Sequence, residues 1–170
     1  MTWTGKLNSC SKLIVALFLA LSVSINISCE KENPGAFSEE VLESILIDKN
    51  GNEVSFREAL DKHQEREIVI YFWASWCKDC LVGFPELKKL QAKNKETVFI
   101  NISLDRSIES WAVALEKYKL RGDHYYNVDG LEGELSDFVD LDWIPRYIVL
   151  NSEGEIQQFD INESEKLILH

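Results

Sequence analysis

Two cysteines three positions apart, Cys77 and Cys80, are the residues of this chain best suited to chemistry. A thiolate rather than a thiol attacks a disulfide, so a working cysteine belongs where unpaired backbone N–H groups and the helix dipole stabilise negative charge. Around Cys77 a continuous apolar run, Ile68 to Trp73, gives way to apolar positions at helical spacing, Leu81, Phe84, Leu87 and Leu90. Cys77 is therefore predicted at a helix N-terminus with an accessible sulfur. Cys80 follows one turn later on the same face, near enough to close a disulfide and more sheltered by the helix. This placement suits a cycle in which Cys77 attacks, a mixed disulfide forms, and Cys80 releases what was captured. Lys78 sets a positive charge beside the first thiol and Asp79 a negative one beside the second, and Lys78 is expected to favour the Cys77 thiolate. A bare pair at this spacing also occurs in zinc sites, so its surroundings have to decide.

Cys10 and Cys29 precede the folded body, which leaves too few cysteines for a structural zinc site. His63, His124 and His170 are scattered without metal-ligand spacing and read as surface residues. Met1 is the only methionine, so copper carriage by Cys77 and Cys80 lacks a soft third ligand. Neither a metal nor an organic cofactor is expected, and a redox-active disulfide is the working group. Copper binding and a redox-silent docking module stand as the alternatives.

The N-terminus has a separate purpose. Lys6 and Lys12 precede fifteen uncharged, mainly apolar residues, Leu13 to Ile27, shorter than the roughly 20 that span a bilayer. The run closes on Ser28-Cys29 and the polar string Glu30 to Pro34. Residues 1–28 are read as an export signal of bacterial lipoprotein type, Cys29 as the lipidated residue, 29–40 as a tether and 41–170 as the folded domain. This predicts an extracytoplasmic domain on the periplasmic or cell-surface side, lipid-anchored or signal-anchored, where a cysteine pair meets an oxidising compartment. Beyond the signal 16 basic residues face 29 acidic ones, a net charge of −13, which would repel nucleic acid.

The cysteines must be positioned by the elements around them. Ile45-Leu46-Ile47 and Val54-Ser55-Phe56 flank Lys49-Asn50-Gly51-Asn52 and predict a β-hairpin, followed by a short helix or loop to Gln64. Ile68 to Trp73 and Val98 to Ser103 read as buried strands. Ile108, Trp111, Leu115 and Tyr118 share a face of a helix over 108–118. This β-α-β-α order implies an α/β fold with parallel strands and right-handed crossovers. Tyr125 to Val128 suggests a short strand and Leu131 to Leu141 a helix. Arg146–Leu150 and Glu155–Phe159 form a second predicted hairpin, and Glu163–Leu169 a final helix. Trp73, Phe99, Trp111 and Trp143 are read as core.

The stretch Phe72-Trp73-Ala74-Ser75-Trp76-Cys77-Lys78-Asp79-Cys80, with Phe84-Pro85-Glu86-Leu87 behind it, resembles the active-site segment of the exported TlpA/ResA-like branch of the thioredoxin superfamily. The resemblance covers most of residues 41–161, including Asn101 to Asp105 and Trp143-Ile144-Pro145-Arg146. It implies a thioredoxin-like fold, a central mixed sheet flanked by helices, with an N-terminal hairpin and a β-α insertion. It implies a thiol:disulfide oxidoreductase in which Trp76 flanks the nucleophile, Pro85 kinks the active-site helix, and Pro145 is a cis-proline presenting the Ile144 backbone to an extended substrate. The implied partners are exported cysteine-containing proteins and an upstream membrane electron donor. The sequence departs from this pattern where carboxylates that move the second thiol's proton would stand: Tyr71 occupies the strand position and Gly83 the helix position. Glu86, one turn further on, would substitute only if it pointed back at the cysteines, and it reads as a solvated helix residue.

Overall fold

The computed structural model describes residues 34–170; the signal, Cys29 and the first part of the tether lie outside the described residues. Chain order begins with a short helix α1, Glu39–Leu42, then the hairpin β1, Ile45–Asp48, and β2, Glu53–Ser55. Gly51 takes φ 85° in the turn, and Asp48 closes it by accepting the N–H groups of Asn50 (2.8 Å) and Asn52 (2.9 Å). These bonds, those from Asn52 foremost, hold the Asp48 carboxyl down at about 2. Phe56, predicted to end the strand, instead begins helix α2, Phe56–Asp61. Ser55 and Glu58 explain the difference: each accepts the other's backbone N–H, at 3.1 and 2.7 Å, in a capping box.

Next come β3, Ile68–Trp73; α3, Lys78–Lys93; β4, Val98–Ser103; and α4, Ile108–Tyr118. β3 and β4 pair in parallel from Ile68↔Val98 to Trp73↔Ser103, and every residue of both is buried. That double-sided burial is what their unbroken apolar runs anticipate. β5, Asp123–Asn127, adds a third parallel strand; α5, Glu134–Val139, follows; β6, Arg146–Leu150, and β7, Ile156–Ile161, close the sheet. Among the described residues the strand order is β2-β1-β5-β4-β3-β6-β7, with β6 antiparallel to β3.

The run β3-α3-β4-α4-β5 steps across the sheet in one direction, so right-handed crossovers set α3 and α4 on the same face. Trp73 accordingly meets Phe84 of α3 at 5.4 Å and Tyr118 of α4 at 6.4 Å between ring centroids. A second aromatic cluster, Phe37, Phe56, Phe138 and Phe159, joins α2, α5 and β7. Trp73, Phe99 and Trp111 lie in the core as predicted, whereas Trp143 is 57% exposed.

Two predicted helices shorten. The helix predicted over 131–141 contracts to α5, because Gly130 and Gly133 adopt positive φ and hold residues 129–133 in turns. The predicted final helix is one 3₁₀ turn, Ser164–Lys166. Gln158 pairs the backbone of this segment instead: its side-chain amide donates to the Ile168 carbonyl (2.5 Å) and accepts the Ile168 N–H (3.0 Å).

Candidate functional site

The site lies at the C-terminal end of β3. There the Trp73 carbonyl accepts the Leu104 N–H at 2.8 Å, and the Cys77 N–H turns back to the Ala74 carbonyl at 3.1 Å. Cys77 is the N-cap of α3, with extended backbone, and its sulfur accepts the Cys80 N–H at 3.0 Å. A cap position leaves the first N–H groups of the helix directed at the capping atom, so this sulfur sits where anionic sulfur is stabilised. Cys77 and Cys80 are joined in a disulfide with Cα atoms 5.3 Å apart.

Exposure differs from the expectation of an open sulfur. Cys80 is fully buried and Cys77 retains 5% exposure. Cys77 lies on the floor of a groove of about 320 Å³ lined by Trp76, Leu131, Leu141, Trp143 and Ile144, with Lys78, Asp79 and Asp142 along it.

The remaining predicted residues fall around this point. Trp76 is 46% exposed beside Cys77, and Lys78 and Asp79 are exposed in the first turn of α3. Asp79 there complements the helix dipole and Lys78 opposes it. The Ile144–Pro145 peptide is cis, and the Ile144 carbonyl oxygen lies 3.5 Å from the Cys77 sulfur. Pro85 lies inside α3.

Tyr71 and Tyr147 stack with centroids 4.6 Å apart. Burial raises both phenols well above the ordinary tyrosine range, helped at Tyr71 by the neighbouring Tyr147 and opposed at Tyr147 by its hydrogen bond with Tyr71, so they stay protonated at neutral pH and take no proton from a thiol. Glu86 points into solvent and pairs with Lys89 at 2.6 Å, as its solvated reading anticipated. A side chain at Gly83 would meet open space.

Three features escape the sequence reading. Asp105, 2% exposed, accepts the Ser75 N–H (3.0 Å), the Ser75 hydroxyl (2.6 Å) and the Ser103 hydroxyl (2.8 Å), pinning the turn before Trp76-Cys77 to the end of β4. The Ser-x-Asp spacing at a strand end is its only local signal. Arg146, buried directly after the cis-proline, donates to the Val139 carbonyl (3.1 Å), Asp142 (3.2 Å) and the Trp143 carbonyl (3.5 Å) and pairs with Asp160. It fixes the groove wall to β6 and β7. His124, read as a surface residue, is part-buried, with Nε2 donating to the Leu120 carbonyl at 3.0 Å. Among the described residues no group of three or more His, Cys, Asp or Glu is placed to hold a metal ion.

With the paired cysteines, the cis-proline and the parallel β-α-β core in place, a family model described as thioredoxin-like matches residues 65–156. The chain belongs to the thioredoxin-like family. It is 23% identical over 91 residues to the soluble secreted antigen MPT53 of Mycobacterium tuberculosis, a match covering 54% of this chain and 51% of that protein, so the likeness spans about half the length of that relative. A thioredoxin-like protein of Haemophilus influenzae is 27% identical over 143 residues, 84% of this chain and 80% of that one. Among solved structures, a thiol-disulfide oxidoreductase from Bacteroides fragilis superposes with TM-score 0.61 at 28% identity, covering 72% of this chain and 90% of the other. In this thioredoxin-like chain the expected α/β fold, mixed sheet and N-terminal hairpin are all present.

Proposed function

We propose that this protein is a thiol:disulfide oxidoreductase whose Cys77–Cys80 pair exchanges with the thiols of substrate proteins. The observation that carries the reading is a bonded cysteine pair whose outer sulfur caps a helix and lies beside the Ile144 carbonyl at the floor of a groove.

In the reduced state the Cys77 thiolate, held by the Cys80 N–H and the helix start, attacks one sulfur of a substrate disulfide. A Cys77–substrate sulfur bond forms, the substrate's own S–S bond breaks, and the departing thiolate takes a proton from water. Cys80 then attacks the Cys77 sulfur, closing the intramolecular disulfide and expelling the second substrate thiol. The proton lost by Cys80 balances the one gained by that leaving sulfur. Two electrons pass to the substrate, and a dithiol donor must restore the enzyme. Fully buried Cys80 is out of reach of a protein substrate, so mixed disulfides form at Cys77. With the Tyr71 phenol protonated and Glu86 paired with Lys89, neither of these groups takes the Cys80 proton, which passes through water in the groove or directly to the leaving sulfur.

We further read the domain as exported and tethered through its N-terminus by a lipid on Cys29 or by an uncleaved signal. The uncharged run from Leu13 to Ile27, closing on Ser28-Cys29, supports this, as does likeness to a secreted protein. Among the described residues no helix is long and apolar enough to cross a membrane. Exported cysteine-containing proteins are the proposed substrates, with a membrane-bound donor upstream.

The test equilibrates the protein with glutathione mixtures and counts free thiols. A reversible two-electron midpoint, lost in Cys77→Ser, is the expected result, together with a Cys80→Ser variant that accumulates mixed disulfides. Stoichiometric copper binding without disulfide cycling would overturn the reading.

A further inference from the structure

The chain is acidic overall, yet one groove on it is basic. About 700 Å³ in volume, it lies where β3, β4 and β5 begin, and Arg66, Lys88, Lys95, Lys119 and Arg121 line it. Asp123 is the one carboxylate among its lining residues, and it pairs with His63 at 2.9 Å. We propose that this groove rests on the headgroups of an anionic phospholipid surface and so orients the tethered domain with Cys77 facing away from the membrane. The inference rests on the tethering reading and adds the surface by which the tethered domain meets its membrane.

Three observations carry it. First, the cations are available. All five are exposed, and among the described residues none of them forms an ion pair. Arg121 donates to the Gln91 (2.7 Å), Asn94 (3.1 Å) and Thr97 (2.8 Å) carbonyls, and Arg66 donates to the Glu96 carbonyl. These neutral acceptors fix both guanidinium groups at the groove without cancelling their charge. Glu65, Glu67 and Glu96 are near in sequence but do not line it.

Second, the groove and the point where the chain enters the domain share one end of the sheet. β3, β4 and β5 run in parallel away from the groove, and Cys77 follows the far end of β3. The six residues of β3, at about 3.3 Å each, set roughly 20 Å between the two ends. At the groove end Ile68 pairs with Leu150 and Leu150 with Ile156, whose N–H donates to the Gly35 carbonyl at 2.9 Å. Cys29 stands six residues before Gly35, a reach of about 20 Å when fully extended. A lipid on Cys29 therefore keeps the groove end near the bilayer and leaves only the tilt to be settled.

Third, charge settles the tilt. Beyond the signal 29 acidic residues face 16 basic ones, so an anionic surface repels the domain as a whole. At physiological salt such forces fade over about 8 Å, and each end of the domain responds to its own charges. Five cations against one paired carboxylate make the groove end the attractive one, while the acidic remainder is pushed off. A groove of this volume exceeds a single small anion and suits a plane of many phosphates.

The experiment reconstitutes the full-length protein in vesicles of phosphatidylcholine, with or without phosphatidylglycerol. Flotation with the neutral vesicles reports the tether. Acetylation of lysines by a water-soluble ester, read residue by residue by mass, reports the orientation. Lys88, Lys95 and Lys119 are expected to react about fivefold more slowly on the anionic vesicles than on the neutral ones, the factor that one cation near such a surface supplies, while Lys78 beside Cys77 keeps its rate. At about 1 M salt, where the Debye length falls to about 3 Å, the difference should vanish. In a Lys88→Glu/Lys119→Glu variant, Lys95 should react equally on both vesicles. Because each protein is compared with itself on two surfaces, a substitution that merely loosens the fold does not mimic this loss. Equal rates on the two vesicles in the parent protein, or equal slowing of Lys78, would overturn the inference and leave the tether standing. Protection of the three lysines by inorganic phosphate without vesicles would make the groove a small-anion site and overturn it as well. A protein that does not float with neutral vesicles would overturn the tethering reading, and the orientation with it.

Discussion

Replacing Asp105 tests whether the turn carrying the cysteines is held by the carboxylate beneath it. Asp105 accepts from the Ser75 N–H, the Ser75 hydroxyl and the Ser103 hydroxyl. In Asp105→Ala the fully buried Ser103 hydroxyl loses its acceptor, a loss of about 1–3 kcal/mol, while the part-buried Ser75 groups turn to water at about 0.5–1 kcal/mol. The expected loss is about 2–4 kcal/mol, a large share of the roughly 5–15 kcal/mol typical of a domain. Asp105→Asn keeps one oxygen for Ser75 and presents an NH₂ group to the Ser103 oxygen, so it should lose only about 1 kcal/mol. Urea unfolding monitored by tryptophan fluorescence measures both. A cycle with Ser75→Ala should show coupling of about 1 kcal/mol, and amide exchange at Ser75 and Trp76 should quicken in Asp105→Ala. A loss below about 0.5 kcal/mol, or strict additivity with Ser75→Ala, would refute the idea that this carboxylate anchors the turn.

Other outcomes follow from single positions. Gly83 lies inside α3 with open space where a side chain would be, so Gly83→Ala should stabilise the protein by about 0.5–1 kcal/mol in the same unfolding assay. Burial lowers the His124 pKa below its ordinary 6.5, with Lys49 adding to the effect against the Leu120 carbonyl and Asp123. Its neutral form therefore favours the fold: this contribution is complete above pH 6.5 and is lost as pH falls through the lower, folded value. His124→Gln should flatten the fall in stability between neutral pH and pH 5 relative to the parent chain, and an unchanged slope would contradict the assignment. Lys78→Glu reverses an exposed charge beside Cys77 and should slow iodoacetamide alkylation of the reduced protein at neutral pH by roughly threefold, less in high salt. Equal rates in the two proteins would show that the helix start alone sets the reactivity of that thiol.

Much of the arrangement was legible because the central strands are buried on both faces. Ile68–Trp73 and Val98–Ser103 carry unbroken apolar runs, and their observed limits match the predicted ones. Helix α4 was equally readable, since Trp111 recurs on one face with Ile108, Leu115 and Tyr118. The region from 122 to 142 resisted because β5 carries His124 and Asn127 inside a strand and α5 is too short for its periodicity to register. Asn127 earns its interior place by donating to the Gly130 carbonyl at 2.8 Å, a contact that no pattern of apolar residues announces. The cysteine pair and the cis-proline were visible as motifs, whereas their supports were not. Asp105 reaches Ser75 across thirty positions, and Arg146 gathers Val139, Asp142, Trp143 and Asp160 from three segments. Trp143 looked like core because tryptophan usually is, and only the path of the loop around Arg146 turns it outward.

The Cys77 sulfur is at once the end-stop of a helix and one half of a redox couple. Folding and electron transfer therefore share one thermodynamic cycle here: each increment by which the amide of Cys80 prefers an anionic sulfur to a bonded one tilts the couple toward the dithiol. For two electrons, about 1.4 kcal/mol of that preference is worth roughly 30 mV. Tightening or fraying the opening turn of α3 is consequently a way to retune the voltage of this protein without touching either cysteine.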